Sequence, residues 1–237
     1  MRPNGVGASV GATVYDKTRK KAICCNAVSS AFVTQFAIFS AVSKDWTLTN
    51  STNSVFLSAF GGGIVIHEGY DLLLAFSAVN SGGAYVSQGV GYRLFATPLS
   101  NAMSGSPFAW QEITLSVTSW PVNAAGSSAG LIDHRTFAYC PDNGCLYALN
   151  GYTGSTQIWK LTPPGGASTQ SQALAGTWTV APQTFTGEGL FSRSINQVTP
   201  WNSYQYGKLQ WAPHCKSFLW MSDDYTGPVQ MIRPPGV

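Results

Sequence analysis

The chain has 237 residues, enough for one large domain or two small ones, and its formal net charge is only +3. Charged residues make up 10% of the chain, against about 25% in ordinary globular proteins, which excludes a charge-driven disordered segment, a coiled coil and a long exposed helical array. The 25 glycines, 13 prolines and 12 phenylalanines instead favour short strands joined by many turns.

The weak, scattered charge also bears on partners and compartment. It argues against a nucleic-acid partner. The only basic cluster, residues 17–21, is interpreted as a solvated turn, with an anion or nucleic-acid contact as the alternative. The longest apolar stretch, residues 31–42, is short and broken by polar residues, so no membrane span is predicted. No signal peptide is recognised in residues 1–11. We expect an extracellular or virion setting.

In chain order, four segments share one template: a short apolar run that ends in a large residue, a polar turn, and a second apolar run. The apolar runs and the turn residues between them predict a β-hairpin in each segment. The four predicted hairpins are residues 11–28, 62–78, 136–149 and 207–221.

A third strand is predicted after each hairpin, and a tryptophan opens a fourth strand in three of the four repeats. The predicted third strands are residues 36–39, 92–95, 156–161 and 229–233. The predicted fourth strands begin at Trp46, Trp110 and Trp178.

Four strands per unit, repeated with a late tryptophan, predict the blades of a β-propeller. Each blade buries its faces against its neighbours, so aromatic side chains fill the spaces between blades. We therefore predict an all-β fold: one β-propeller domain over residues 1–237, with about four four-stranded blades. A β-sandwich is the alternative. The predicted blades are approximately residues 11–50, 62–116, 131–182 and 204–237 plus 1–10.

The last predicted blade lacks an outer strand. Residues 1–10 are the first candidate to supply it, which would close the ring by pairing the two ends of the chain and remove a sheet edge. One alternative is a homo-oligomer or another partner chain that completes this blade. Another is that the chain is the C-terminal part of a larger propeller with a structural role, in which case an apolar blade face would be exposed.

Two stretches of the last repeat carry a family resemblance. They are Tyr206–Trp220, which reads YGKLQWAPHCKSFLW, and Pro228–Pro234, which reads PVQMIRP. They resemble the final blade of bacterial proteins of the kelch-like, galactose-oxidase-type propeller family. The resemblance implies that ligands bind at the end of the blades that collects the inter-blade loops. The oxidase copper site is not carried over, because His67, His134 and His214 are the only histidines and are predicted at opposite ends.

At that end we predict a ligand-binding mouth. Asp133, His134 and Arg135, at the entry to the third blade, are hydrogen-bonding groups near the central channel, with a salt-bridged strand start as the alternative. Aromatic rings in the long loops suit the apolar faces of sugars, with inter-blade packing as the alternative. The other predicted ligand-binding residues are Tyr152, Glu188, Arg193, Trp201, Tyr204 and Tyr225.

Other motifs are interpreted structurally. Residues 126–130 match the nucleophile-elbow pattern, but a predicted strand follows instead of a helix, so Ser128 is not predicted to be a nucleophile. Cys140 and Cys145 face each other across a predicted hairpin, either as a disulfide or as buried free thiols. No metal site, catalytic residue or cofactor is predicted, and the acidic pair at 223–224 is interpreted as a solvated turn.

Together these features favour a non-catalytic binding module for a glycan or protein ligand. The alternative is a carbohydrate-active propeller enzyme, a lyase or a hydrolase, in which Glu188 and Asp133 would meet across the channel mouth. A structural role, with the last blade completed by a partner, is the third hypothesis. A shallow aromatic platform would favour binding, and an unpaired apolar blade face would favour the structural role.

Overall fold

The computed structural model describes residues 10–26, 32–56, 63–77, 93–118, 137–149, 157–185, 209–221 and 229–236. They form four small, mainly antiparallel sheets arranged as the blades of a four-bladed β-propeller, which confirms the predicted all-β propeller fold.

Each sheet is built from consecutive strands. Two short α-helices lie between strands, and one-turn 3-10 helices at Glu68–Tyr70 and Pro213–Cys215 lie in two of the hairpin turns. Sheet 1 contains β1 (Val10–Asp16), β2 (Lys21–Asn26), β3 (Phe32–Ser40) and β4 (Trp46–Phe56). Sheet 2 contains β5 (Gly63–His67), β6 (Leu72–Ser77), β7 (Arg93–Pro98) and β8 (Gln111–Ile113), with helix α1 (Leu99–Ala102) between the last two. Sheet 3 contains β9 (Leu115–Val117), β10 (Phe137–Cys140), β11 (Cys145–Leu149), β12 (Gln157–Thr162) and β13 (Trp178–Thr184), with helix α2 (Gln170–Ala175) before β13. Sheet 4 contains β14 (Leu209–Ala212), β15 (Ser217–Met221) and β16 (Val229–Ile232).

The first two antiparallel strands of every sheet are joined by a four-residue turn whose last residue is left-handed. Gly144 takes this position in sheet 3 with φ 67°, and Lys20, Asp71 and Lys216 take it in the other sheets with φ 54°, 53° and 46°. A glycine adopts this conformation freely, whereas each of the other residues pays a steric cost of roughly 1–2 kcal/mol. All four predicted hairpins are confirmed, with strands that begin and end within two residues of the predicted bounds.

Apolar side chains fill the junctions between successive sheets. Three buried clusters lie between sheets 1 and 2, between sheets 2 and 3, and between sheets 3 and 4. The inner strands β1, β5, β10 and β14 pack one against the next in that order. Trp159, Trp178 and Trp220 are among the largest fully buried side chains. The prediction that aromatic residues fill the space between blades is thus confirmed for these junctions.

The outer strands are also linked from sheet to sheet, by short stretches of parallel pairing that we call the cross-sheet ladders. On β4, the Thr52 N–H donates to the carbonyl oxygen of Phe108 (2.7 Å), and the Phe108 N–H donates to that of Asn50 (3.1 Å). Strand β9 leaves sheet 2 after β8 and pairs in parallel with β13 of sheet 3. The Trp178 N–H donates to the carbonyl oxygen of Thr114 (2.9 Å).

The structure differs from the sequence expectations in several details. The two α-helices and the crossing of β9 to sheet 3 were not predicted. The Thr169-x-x-Gln172 spacing at the start of α2 is a capping signal that is visible in the sequence. Sheet 4 has three strands among the described residues. Residues 1–9 lie outside the described residues, so closure of the ring by the N-terminal segment stays a prediction. No helix among the described residues is long and apolar enough to cross a membrane.

Candidate functional site

The two ends of the sheets differ in what the structure describes. At one end, the four hairpin turns lie side by side and are described completely. At the opposite end, the second strand of each sheet ends and the third strand begins. The predicted ligand-binding residues belong to segments outside the described residues, so the predicted mouth stays a prediction. These residues are Asp133, His134, Arg135, Tyr152, Glu188, Arg193, Trp201, Tyr204 and Tyr225.

One ion pair is described toward that opposite end, where β7 begins. The Arg93 guanidinium forms an ion pair with Glu112 on β8, and its Nε donates to Glu112 Oε1 at 2.6 Å. The guanidinium also lies 5.0 Å from the ring centroid of Phe95. The hydrogen bonds to Glu112 raise the pKa of Arg93 above its ordinary value. This pair fixes the guanidinium against its own sheet.

At the hairpin-turn end, ionic contacts fasten sheet 1 to sheet 2. Arg19 donates to both carboxylate oxygens of Asp71, at 2.8 and 2.7 Å, and to Asp16 at 2.7 Å. Burial alone would raise the pKa of Asp16, but hydrogen bonds from Arg19 and from the Thr18 N–H bring it below its ordinary value. Every member of this small network is satisfied by the others, which suits a fastening between turns.

His67 fastens sheet 2 to sheet 3, and it lies in a strand, directly before the hairpin turn of sheet 2. It is the last residue of β5 and is only 1% exposed. Its Nδ1 accepts from the Tyr70 N–H (3.2 Å), and its Nε2 lies 2.9 Å from the Gly144 carbonyl oxygen, a pairing that fits the Nε2-protonated neutral tautomer. Burial lowers the pKa of His67 to about 4. The imidazole is therefore a neutral structural group, packed against Tyr139 and Trp178.

Cys140 and Cys145 are direct cross-strand partners in the β10–β11 hairpin, as predicted, and both are free thiols. Both are buried, and burial raises the pKa of each thiol above its ordinary value. A raised pKa suppresses the thiolate, which is the nucleophilic form. This hairpin therefore resembles a packed core element more than a reactive site.

The most distinctive described surface is the outer face of sheet 1, which we call the aromatic platform: Tyr15, Phe39, Trp46 and Leu48. Tyr15, Trp46 and Leu48 are 51%, 36% and 41% exposed, high values for large apolar side chains. Phe39 lies directly opposite Trp46 on the neighbouring strand, with ring centroids 5.1 Å apart. Tyr15 lies on the same face of the sheet, separated from Phe39 by Ala22 on β2.

The platform was not predicted from the sequence. Trp46, Trp110 and Trp178 occupy equivalent places before or at the start of an outer strand, yet Trp110 and Trp178 are buried, at 4% and 0% exposure. They are covered because another sheet precedes theirs. In sheet 1 the same tryptophan position lies on the face turned away from sheet 2, and Trp46 there is 36% exposed.

Among the described residues, no group of three or more His, Cys, Asp and Glu side chains is placed to hold a metal ion. A scan against protein-family models finds no match to this chain, and a search among curated proteins finds no significant match.

Proposed function

We propose that the chain is a non-catalytic binding module, and that the aromatic platform holds a protein or glycan ligand supplied by another molecule. The observation that carries this proposal is the exposure of Tyr15 on β1 and of Trp46 and Leu48 on β4, all on the same face of sheet 1. Exposed apolar surface of this kind marks interaction sites in soluble proteins. A secreted, surface or virion setting and membership of the kelch-like propellers belong to the same proposal.

The composition of the platform favours a protein ligand. Tyrosine and tryptophan supply large contact areas with little side-chain entropy to lose, and they dominate binding energy at protein interfaces. Leu48, together with Val42 in the adjacent turn (71% exposed), adds aliphatic surface that a sugar does not need. A glycan remains the second candidate because flat aromatic rings with polar edges stack on the apolar faces of sugars.

The test compares two probes on one protein. A broad glycan array and a phage-displayed peptide library are presented to the wild-type chain, to Trp46→Ala and to Thr179→Ala, a control at an exposed position of β13. We expect binders from at least one probe, weakened at least tenfold by Trp46→Ala and unchanged by Thr179→Ala. Circular dichroism confirms that the variants are folded. Absence of binders from both probes, or equal binding to Trp46→Ala, would contradict the proposal.

A further inference from the structure

The charged side chains of sheets 1 and 4 are concentrated at the hairpin-turn end. All the lysines, arginines and acids in the described parts of these two sheets lie in or next to the turns at this end. They are Asp16, Lys17, Arg19, Lys20, Lys21, Lys44 and Asp45 in sheet 1, and Lys216 and Arg233 in sheet 4. The hairpin turns of sheets 2 and 3 instead carry acids, at Glu68, Asp71 and Asp142. The hairpin-turn end therefore has a basic half and an acidic half.

Contacts within the chain occupy some of the cations in the basic half. Lys17 and Arg19 form ion pairs with acids of sheets 1 and 2, and the Lys21 ammonium donates to the Met103 carbonyl oxygen at 2.9 Å. The remaining four are exposed and have no carboxylate partner among the described residues, and we call them the unpaired cations: Lys20, Lys44, Lys216 and Arg233. Their charge is therefore available to a partner outside the chain.

The unpaired cations lie on two neighbouring blades. Lys20 and Lys216 occupy the same left-handed position in the hairpin turns of sheets 1 and 4, which are adjacent in the four-bladed ring. The turn that contains Lys44 is attached to the first hairpin turn, because the Ala41 N–H donates to the Lys20 carbonyl oxygen at 2.8 Å. Arg233 directly follows β16 and donates to the Cys215 carbonyl oxygen at 3.2 Å, beside the turn of sheet 4. The four charges thus belong to one surface.

An apolar side chain protrudes within this basic surface. Val42 is 71% exposed and lies in the same turn as Lys44, next to the residue that bonds to Lys20. A soluble polyanion is bound through charge, and single-stranded nucleic acid also through base stacking on aromatic rings, so neither makes use of an exposed aliphatic tip. A bilayer does, because an apolar side chain enters the boundary between headgroups and acyl chains while neighbouring lysines reach anionic headgroups.

We propose that the basic half of the hairpin-turn end docks on an anionic lipid surface, with the unpaired cations on the headgroups and Val42 at the boundary with the acyl chains. The acidic turns of sheets 2 and 3 are repelled by such a surface, so sheets 1 and 4 approach it most closely. The proposal goes beyond the proposed function, because it concerns the end of the blades and not the sheet face that carries the aromatic platform.

Sedimentation with vesicles tests the role of charge. The wild-type chain is expected to bind phosphatidylcholine vesicles that contain phosphatidylserine, to bind pure phosphatidylcholine much less, and to be released by salt. The double variant Lys20→Gln/Lys216→Gln is expected to weaken binding by roughly fivefold for each lysine. Thr118→Glu/Thr184→Glu makes the same change in net charge at exposed positions of sheet 3, and it is expected to keep wild-type binding. Circular dichroism confirms that the variants are folded.

Val42→Ser tests whether the partner is a bilayer or a soluble polyanion. The variant is expected to bind the phosphatidylserine vesicles about threefold more weakly, because less apolar surface leaves water, and to bind heparin as the wild type does. Absence of wild-type binding to these vesicles at low salt would overturn the proposal, as would equal losses in the lysine variant and its control. Heparin binding without vesicle binding would assign the basic surface to a soluble polyanion and also overturn it.

Discussion

The imidazole of His67 is buried at the junction of sheets 2 and 3, where only its neutral form keeps both hydrogen bonds. Its pKa is about 4 in the folded chain, below the ordinary 6.5, so as the pH falls the unfolded chain binds a proton first. The stability contributed by neutral His67 is therefore present above pH 6.5 and is lost as the pH falls toward 4.

We predict that His67 accounts for a loss of up to about 3 kcal/mol in unfolding free energy between pH 7 and pH 4. Urea unfolding of His67→Gln is expected to show a smaller fall over this range, although the variant is less stable at pH 7. His214→Gln, at an exposed histidine in the sheet 4 turn, is the control and is expected to keep the wild-type slope. Equal slopes for wild type and His67→Gln would contradict the assignment.

Arg19 belongs to the same scale, because one guanidinium joins the turns of sheets 1 and 2. We predict that Arg19→Lys lowers the unfolding free energy by roughly 1 kcal/mol, since an ammonium group cannot form the two parallel bonds to Asp71. Lys17→Ala removes the exposed ion pair with Glu68 (3.5 Å) and is expected to change stability by less than about 0.5 kcal/mol. Urea unfolding at low salt measures both, and equal effects would contradict the special role of Arg19.

At the scale of elements, α2 shows how a short helix is held in place. Its Thr169 side chain accepts from the Gln172 N–H at 3.2 Å, and the Gln172 side chain accepts from the Thr169 N–H, also at 3.2 Å. The helix then positions Gln170, whose Nε2 donates to the carbonyl oxygens of Tyr70 and Asp71 in sheet 2. Helix α2 therefore links sheet 3 to the hairpin turn of sheet 2.

We predict that Thr169→Ala lowers the unfolding free energy by about 1 kcal/mol, because one N–H at the start of the helix loses its acceptor. Thr169→Ser keeps the hydroxyl and is expected to stay within about 0.3 kcal/mol of the wild type. Thermal unfolding followed by circular dichroism compares the three proteins. A serine variant as unstable as the alanine variant would show that the methyl group, and not the cap, is responsible.

The elements also show what a single sequence reveals. The hairpins were predictable because a polar four-residue turn between apolar runs is a local signal, as in Cys140–Cys145 with its Pro-Asp-Asn-Gly turn. The cross-sheet ladders were not, because the pairing of β9 with β13 joins segments about 60 residues apart and is set by how two sheets stack. The burial of His67 was hidden for the same reason, since its partner Gly144 lies in another sheet.

At the scale of the molecule, buried junctions and exposed faces predict losses of stability of different size for the same substitution. Leu74 is fully buried between sheets 2 and 3, whereas Leu48 on the aromatic platform is 41% exposed. We predict that Leu74→Ala lowers the unfolding free energy by about 2–5 kcal/mol and that Leu48→Ala lowers it by less than about 1 kcal/mol in dilute solution. Chemical unfolding at low protein concentration measures both values.

A large cost for Leu48→Ala under those dilute conditions would show that the platform is covered within a single chain, as closure of the ring by its own ends would require. A cost that grows with protein concentration would instead couple Leu48 to association. The sequence supported the number of sheets and their order, because each repeat could be read locally. It did not show which faces are left uncovered, since Trp46 and Trp178 occupy the same position in their repeats and differ only in their neighbours.

The cross-sheet ladders imply that a blade and a removable segment of chain are not the same unit. A deletion that began after Ile113 would keep the strands of sheet 2 and remove β9, the parallel edge of sheet 3. An extra blade inserted between sheets 2 and 3 would separate β9 from β13. The outer strand of the inserted blade would then have to supply the parallel pairing to Trp178. We therefore expect that evolutionary gain or loss of a blade at this junction occurs at a boundary after β9, and not after β8 where sheet 2 ends.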